Sequence, residues 1–231
     1  MRRGIVSGMH PKVVWQHPRL GLLGPSDFTL VAEEVGVMPA ILDWAVHEIC
    51  DQARTWRGAG NSDFFIGFDL SARQISYPSF VSELSAAMRS RELAGFMLNI
   101  CVLPPGRIAP TDDEVLLRAL DALRSLGIAV GVNGCGAESS VLSWLADIPF
   151  DTFKIAPHFG SAIGVKSRTD HMVSSLVTMS HDMGMTVAID GIFTPAQRSR
   201  AMKLGCDFAE GALFGELAPP PPSTSAPLLE V

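Results

Sequence analysis

From residue 64 onward, short apolar runs stopped by Gly, Pro or Asn alternate with helical patterns through at least five units. This alternation constrains the fold more than any other feature of the chain. Strands separated by helices return to the sheet in the same direction, so the chain is predicted to build a parallel sheet, closed as a barrel or doubly wound. The runs at 64–70, 96–103, 128–132, 152–155 and 186–189 read as strands, with a last short one near 207–208. Helices are predicted at 26–34, 40–56, 77–91, 139–146 and 170–183. Residues 4–15 are weakly strand-like, and Trp15-Gln16-His17-Pro18 reads as the start of a loop. In the 40–56 helix, Ile41, Trp44, Ala45, Ile49 and Ala53 are expected to share the buried face.

Two helix starts are marked chemically. Thr111-Asp112-Asp113-Glu114 and Thr194-Pro195-Ala196-Gln197 are capping boxes, in which the hydroxyl and the residue three positions on satisfy each other's free backbone donors. The first opens a helix carrying Val115, Leu116, Ala119, Leu120 and Leu123 at helical spacing, and Gly127 stops it. The second has Pro at the first helical position, where no N–H is needed. No G-x-G-x-x-G or Walker pattern follows any strand, so a Gly-rich nucleotide cradle is not supported and a barrel is the expectation.

Size and charge narrow the class. The 231 residues, 47% of them hydrophobic, suffice for one α/β barrel. A formal net charge of -6 argues against nucleic acid or an anionic membrane as the main partner. No apolar run is long enough to span a bilayer, and no signal-peptide core follows Met1-Arg2-Arg3. Cys50, Cys101, Cys135 and Cys206 form no C-x-x-C pair, so reduced thiols in a cytoplasmic protein are expected. Residues 1–218 are expected to form the barrel domain. Residues 219–231, with four consecutive prolines, are expected to be a disordered tail.

In α/β folds chemistry sits on loops at the carboxyl ends of strands. The loop after 128–132 should therefore carry acids, bases or ligands. It carries Asn133, Gly134, Cys135 and Gly136 instead.

Several segments together resemble one family. Trp15-Gln16-His17-Pro18, Phe28 with Ala32-Glu33-Glu34-Val35-Gly36, Leu70-Ser71-Ala72-Arg73-Gln74, Asp151-Thr152-Phe153-Lys154-Ile155, and Leu204-Gly205-Cys206-Asp207 with Gly211-Ala212-Leu213-Phe214-Gly215 are similar, in order, to an EAL domain. The resemblance covers about residues 4–218. It implies a TIM-like (β/α) barrel of EAL type. It also implies an enzyme that opens cyclic diguanylate with two divalent metals, held by carboxylates and an Asn at the strand ends. A lysine and a glutamate there position the attacking water.

Against that pattern the sequence departs at nearly every catalytic position. The signature Glu-Ala-Leu falls at His10-Pro11-Lys12, and the arginine expected before the tryptophan is Val14. The metal-binding Asn is Asp69. The Glu-Ile-Thr-Glu strand reads Asn99-Ile100-Cys101-Val102. The paired aspartates are Asn133-Gly134, and the aspartate two positions beyond the lysine is Ala156. The Glu-Gly-Val-Glu-Thr segment reads Asp190-Gly191-Ile192-Phe193-Thr194, and the glutamine before the final glycine is Glu210. Lys154 alone keeps its place, as a vestige of the catalytic set. The family's first strand, which precedes the signature, is missing from the expected order, so the chain is a fragment or closes its barrel another way.

Two divalent cations about 3.5–4 Å apart repel by roughly 17 kcal/mol at an effective dielectric near 20. Carboxylates must offset this. Of the degenerate positions His10, Asp69, Asn99, Asn133, Gly134 and Asp190, only Asp69 and Asp190 carry a carboxylate. The expectation is therefore no metal, no cofactor and no catalysis. The chain is expected to be an inactive EAL-like domain that binds a protein partner in cyclic diguanylate signalling. The first alternative is a metal-independent receptor for the messenger, drawing on Asp69, Ser71, Arg73, Lys154, Asp190, Phe193 and Glu210. The second is a residual or remodelled phosphodiesterase with one metal on His10, Asp69 and Asp190. Lys154 is expected to pair with Asp69 or Asp190, and Arg73 to brace a loop or touch a phosphate. Phe193 is read as a plug of the mouth or a stacking platform. A homodimer through 136–139 and Trp144 is a further expectation, with core packing as the plainer role for Trp144.

Overall fold

A computed structural model describes residues 7–58, 64–103, 113–135 and 140–215. In chain order the elements begin with β1 (Gly8–Met9), β2 (Trp15–His17) and β3 (Gly21–Leu23), followed by α1 (Pro25–Glu34) and α2 (Met38–Gly58). Then come β4 (Phe65–Ser71), α3 (Ala72–Ile75), α4 (Phe80–Ser90), β5 (Leu98–Leu103), α5 (Asp113–Ser125) and β6 (Ala129–Cys135). The remainder is α6 (Ser140–Asp147), β7 (Thr152–Ile155), α7 (Pro157–Ala162), α8 (Ser167–Asp182), β8 (Thr186–Ile189), α9 (Pro195–Lys203) and β9 (Phe208–Ala209).

Seven strands form one sheet in the order β1-β4-β5-β6-β7-β8-β9, every neighbouring pair parallel. The sheet curls into a half-barrel with helices around it. Among the described residues, β1 and β9 are its edges. Side chains span the seam between them: His10 Nε2 lies 3.2 Å from Glu210 Oε1, and the Phe65 and Phe208 rings meet edge to face at 5.9 Å.

The alternation of side chains along each strand sorts the residues into two layers. Outward go Ile66, Phe68, Leu98, Ile100, Val130, Val132, Phe153, Ile155, Val187 and Ile189, all in the main core with Leu116, Leu120 and Leu123 of α5. Inward go Gly8, Phe65, Gly67, Asp69, Asn99, Cys101, Gly131, Thr152, Lys154, Ala188, Phe208 and Glu210. The interior of a barrel is usually filled by branched apolar side chains. Apart from Phe65 and Phe208 it is small and polar here, and the main hydrophobic core lies between sheet and helices.

Several expectations need correcting. Trp15–His17 is not the start of a loop: it pairs antiparallel with Gly21–Leu23 in a hairpin outside the main sheet. His17 Nδ1 accepts from the Arg19 and Leu20 N–H groups and so closes the turn that Pro18 begins. The strand predicted to stop at Val132 continues to Cys135 through a register shift, with Gly134 in the left-handed region at φ 75°. In α2 the buried face is Leu42, Ala45, Val46, Cys50, Ala53 and Trp56, while Trp44 is exposed. Of the five positions predicted to share that face, Ala45 and Ala53 are buried and Ile41 and Ile49 half-buried; Trp44 alone turns to solvent, at the edge of the face that packs on α4. Helix α7 was not foreseen. Thr194 caps α9 as expected, accepting from Gln197 N while Gln197 Oε1 accepts from Thr194 N. Thr111 and Asp112 of the 111–114 capping box, the 136–139 loop and the 219–231 tail lie outside the described residues.

Candidate functional site

The carboxyl ends of β1, β4, β7 and β9 bring His10, Asp69, Lys154 and Glu210 together. Lys154 sits mid-strand on β7, where alternation aims it inward, and it is 2% exposed. An ammonium so placed needs anionic partners, because burial of an unpaired charge is costly. It has two: Nζ lies 2.8 Å from Glu210 Oε2 and 3.4 Å from Asp69 Oδ2. His10 Nδ1 lies 3.5 Å from the same nitrogen. Burial alone would lower the Lys154 pKa, but the charges of Asp69 and Glu210 outweigh it and hold the group above its usual 10.5. The lysine is fully protonated at any physiological pH.

His10 is the second buried member. Its ring lies over Gly67 of β4, and a methyl group on Gly67 would overlap the imidazole. Its Nε2 reaches Glu210 Oε1 at 3.2 Å, and its Nδ1 is 3.9 Å from Asp69 Oδ1. Burial lowers its pKa below 6.5; Lys154 adds to this, while Glu210, Asp69 and Asp190 act in the opposite direction. The sequence reading missed Gly67. Its signal was a glycine at an inward position of the run Phe65–Ser71, the place where a strand admits a close neighbour.

The pairing predicted for Lys154 is found at Asp69, but the second partner is Glu210 rather than Asp190. Asp190 turns back on the chain, its Oδ1 accepting from Gly191 N at 2.6 Å. Asn133 likewise accepts from the N–H of Gly134, and Asn99 Oδ1 accepts from the Cys101 thiol at 3.5 Å. Ser71 caps α3, its Oγ accepting from Gln74 N. Arg73 Nη1 lies 3.5 Å from Glu33 Oε2 on α1, which gives it a bracing position away from the quartet. Phe193 is 56% exposed on the loop after β8, so it does not plug the mouth. Trp144 is partly buried and packs against the main core.

Among the described residues, no three His, Cys, Asp or Glu side chains are grouped to hold a metal ion. Both carboxylates that face the centre already contact the Lys154 ammonium. Asp69 Oδ1 is the one buried side-chain oxygen without a hydrogen bond among the described residues. One ammonium against Asp69, Asp190 and Glu210 leaves a formal charge of -2, far short of what two divalent ions need. The donor set does not fit the metal pair that the EAL resemblance implies. No described helix is long and apolar enough to cross a membrane.

Comparison with known proteins adds three findings. The EAL domain family matches residues 1–217. Two proteins of Pseudomonas aeruginosa, the bifunctional diguanylate cyclase/cyclic di-GMP phosphodiesterase MucR and the cyclic di-GMP phosphodiesterase NbdA, are each 27% identical over 216 residues. These cover 94% of this chain but only 31% and 27% of the relatives, so the chain spans about a third of their length or less. A solved structure described as the PaMucR phosphodiesterase in complex with c-di-GMP superposes with a TM-score of 0.81 at 28% identity. It covers 91% of this chain and 84% of that one.

Proposed function

The chain belongs to the EAL domain family, and from that premise we propose that it serves cyclic di-GMP signalling as a catalytically inactive regulatory domain that engages a protein partner. One observation carries the reading: of the positions expected to hold metal, Asn99, Asn133 and Gly134 bring no carboxylate and Asn99 and Asn133 are engaged locally, while Asp69 and Glu210, which do face the centre, are both held by the retained Lys154 ammonium. Phosphodiester hydrolysis by this kind of site needs metal to activate water and to clamp the scissile phosphate. With His10 and Lys154 among the carboxylates, the positions for a metal pair are replaced by internal ion pairing. A scaffold that keeps its fold without that chemistry retains its surfaces, and surfaces are what a signalling module offers.

Relatives named as phosphodiesterases make hydrolysis the competing reading. The test is release of linear dinucleotide from cyclic di-GMP with Mg²⁺ or Mn²⁺ by protein free of host enzymes. The proposal expects no turnover above a Lys154→Ala control; robust, saturable turnover would end it.

A receptor reading has its own support. Phe193 presents an exposed aromatic face beside the mouth, and the similar PaMucR structure is a c-di-GMP complex. Calorimetry in EDTA separates the two. Micromolar binding weakened by Phe193→Ala favours the receptor, and no heat of binding favours the protein-partner module. A one-metal enzyme would draw on Asp69 Oδ1, and an empty site by elemental analysis counts against it.

A further inference from the structure

Charge is unevenly placed on this chain. The formal net charge is -6, yet residues 161–181 and α9 together hold five Lys or Arg against a single carboxylate, Asp170. The cations are Lys166, Arg168, Arg198, Arg200 and Lys203. The two stretches form one surface. Gln197 Nε2 on α9 donates to Ser161 O on α7 at 2.9 Å, and a Cβ on Gly164, in the turn between α7 and α8, would stand 3.8 Å from Arg200 Cγ. Asp170 joins the parts, its Oδ1 accepting from Gly164 N and its Oδ2 from Arg200 Nε, both at 2.9 Å. Lys166 lies one turn before Asp170 and Lys203 one turn beyond Arg200, so both flank the pair that ties α8 to α9. Lys166, Arg168 and Lys203 are exposed and Arg198 is half-buried. Of the five cations, Arg200 alone has an ion-pair partner among the described residues.

Local stability does not account for these cations. Lys166 is the N-cap of α8 and Arg168 lies in its first turn, where the positive end of the helix repels them and where Ser, Thr, Asp or Asn is the favoured cap. Val165, next to Lys166, is 79% exposed, which sets an apolar side chain beside the cations. The rest of the chain is more acidic than its net charge alone indicates. A nucleic-acid duplex or an anionic bilayer is a large, uniformly negative surface and would meet that acidic remainder too, whereas a short segment meets the basic face alone. We infer that the turn between α7 and α8, with the adjoining side of α9, is a docking surface for an acidic segment of a protein partner. Its carboxylates would pair with Lys166 and Lys203, and an apolar side chain would cover Val165. The inference rests on the reading of this chain as a partner-binding module and gives that partner its chemistry.

Fluorescence anisotropy of the full chain with a labelled peptide of Glu and Leu tests it, with a Gln and Leu peptide of the same length as control. The acidic peptide is expected to bind at micromolar concentration and the neutral one not to bind. Lys166→Glu and Lys203→Glu should each weaken binding about fivefold or more. Lys166→Glu puts an anion where the helix end favours one, so it should melt no lower than the wild type, and its weaker binding is then not lost folding. Arg118→Glu, exposed on α5 and outside this surface, should leave binding unchanged. Raising salt from about 0.1 M to 1 M, which shortens the screening length from ~10 Å to ~3 Å, should weaken binding about tenfold. No binding, or binding indifferent to salt and to both reversals, would overturn the inference. So would tighter, reversal-sensitive binding of duplex DNA or of phosphatidylserine vesicles, which would assign the cations to another class of partner. Turnover of cyclic di-GMP would end the inactive reading of the mouth and leave this surface as it stands, so the two fail separately.

Discussion

His10 shows how much one side chain can hold. It reaches across the seam from β1 to Glu210 and lies on Gly67, so its position depends on a residue without a side chain two strands' width from the seam. Gly67→Ala should overpack this contact and cost about 1–3 kcal/mol in urea denaturation. The pH dependence follows from the burial that holds His10 below 6.5. The folded protein then binds fewer protons than the unfolded chain as pH falls through that value. Stability present above pH 6.5 is therefore lost as pH drops toward the folded pKa, by up to about 1.4 kcal/mol per pH unit. His10→Gln should flatten that stretch of the stability profile; an unchanged slope would show that the imidazole titrates freely. Lys154 acts with the opposite sign. Its raised pKa gives stability that is full below about 10.5 and lost only in stronger alkali. Lys154→Met should cost about 3–5 kcal/mol at neutral pH by leaving Asp69 and Glu210 with only the His10 imidazole between them.

The elements were legible where local chemistry decides them. The Thr194–Gln197 box closed as read, because cap and partner lie within one turn. Thr194→Ala should cost about 1 kcal/mol, visible as a lower urea midpoint with unchanged slope. The strands at 152–155 and 186–189 were legible because a buried parallel strand is a short apolar run between breakers. Details decided by distant packing were not. On α2 the face was read correctly except at Trp44, which turns to solvent beside the face that meets α4, forty residues on, and the Trp15–His17 strand exists only because Gly21–Leu23 pairs with it. The lobe that this hairpin forms with α1 is tied to the barrel side by Arg73 on α3 and the deeply buried Glu33. Glu33→Gln should therefore speed hydrogen exchange across residues 15–37 while leaving β4 to β8 protected; uniform acceleration would mean that lobe and barrel open as one unit.

At the scale of the whole molecule, sequence carried the family and the fold but only part of the site. Strand–helix alternation and five ordered motifs pointed to the EAL half-barrel that the structure has. The Lys154–Asp69 pair was foreseeable because a lone buried cation seeks an anion. Glu210 was placed at the mouth but not named as the nearer partner, since the 2.8 Å contact depends on how far β9 curls round toward β1. The inward layer of glycines and polar groups was hidden as well: in a run such as Phe-Ile-Gly-Phe-Asp-Leu, the outward positions dominate the hydrophobic signal.

The central claim is that the mouth seats no pair of metal ions, because Asn99, Asn133 and Gly134 stand where carboxylates are expected and Asp69 and Glu210 are held by Lys154. Anomalous diffraction from a crystal soaked in manganese addresses it directly. The account predicts no pair of manganese peaks at the carboxyl ends of the strands, with the Lys154 ammonium still against Asp69 and Glu210. Two occupied positions about 3.5–4 Å apart beside Asp69 and Asp190, with the lysine turned aside, would contradict it.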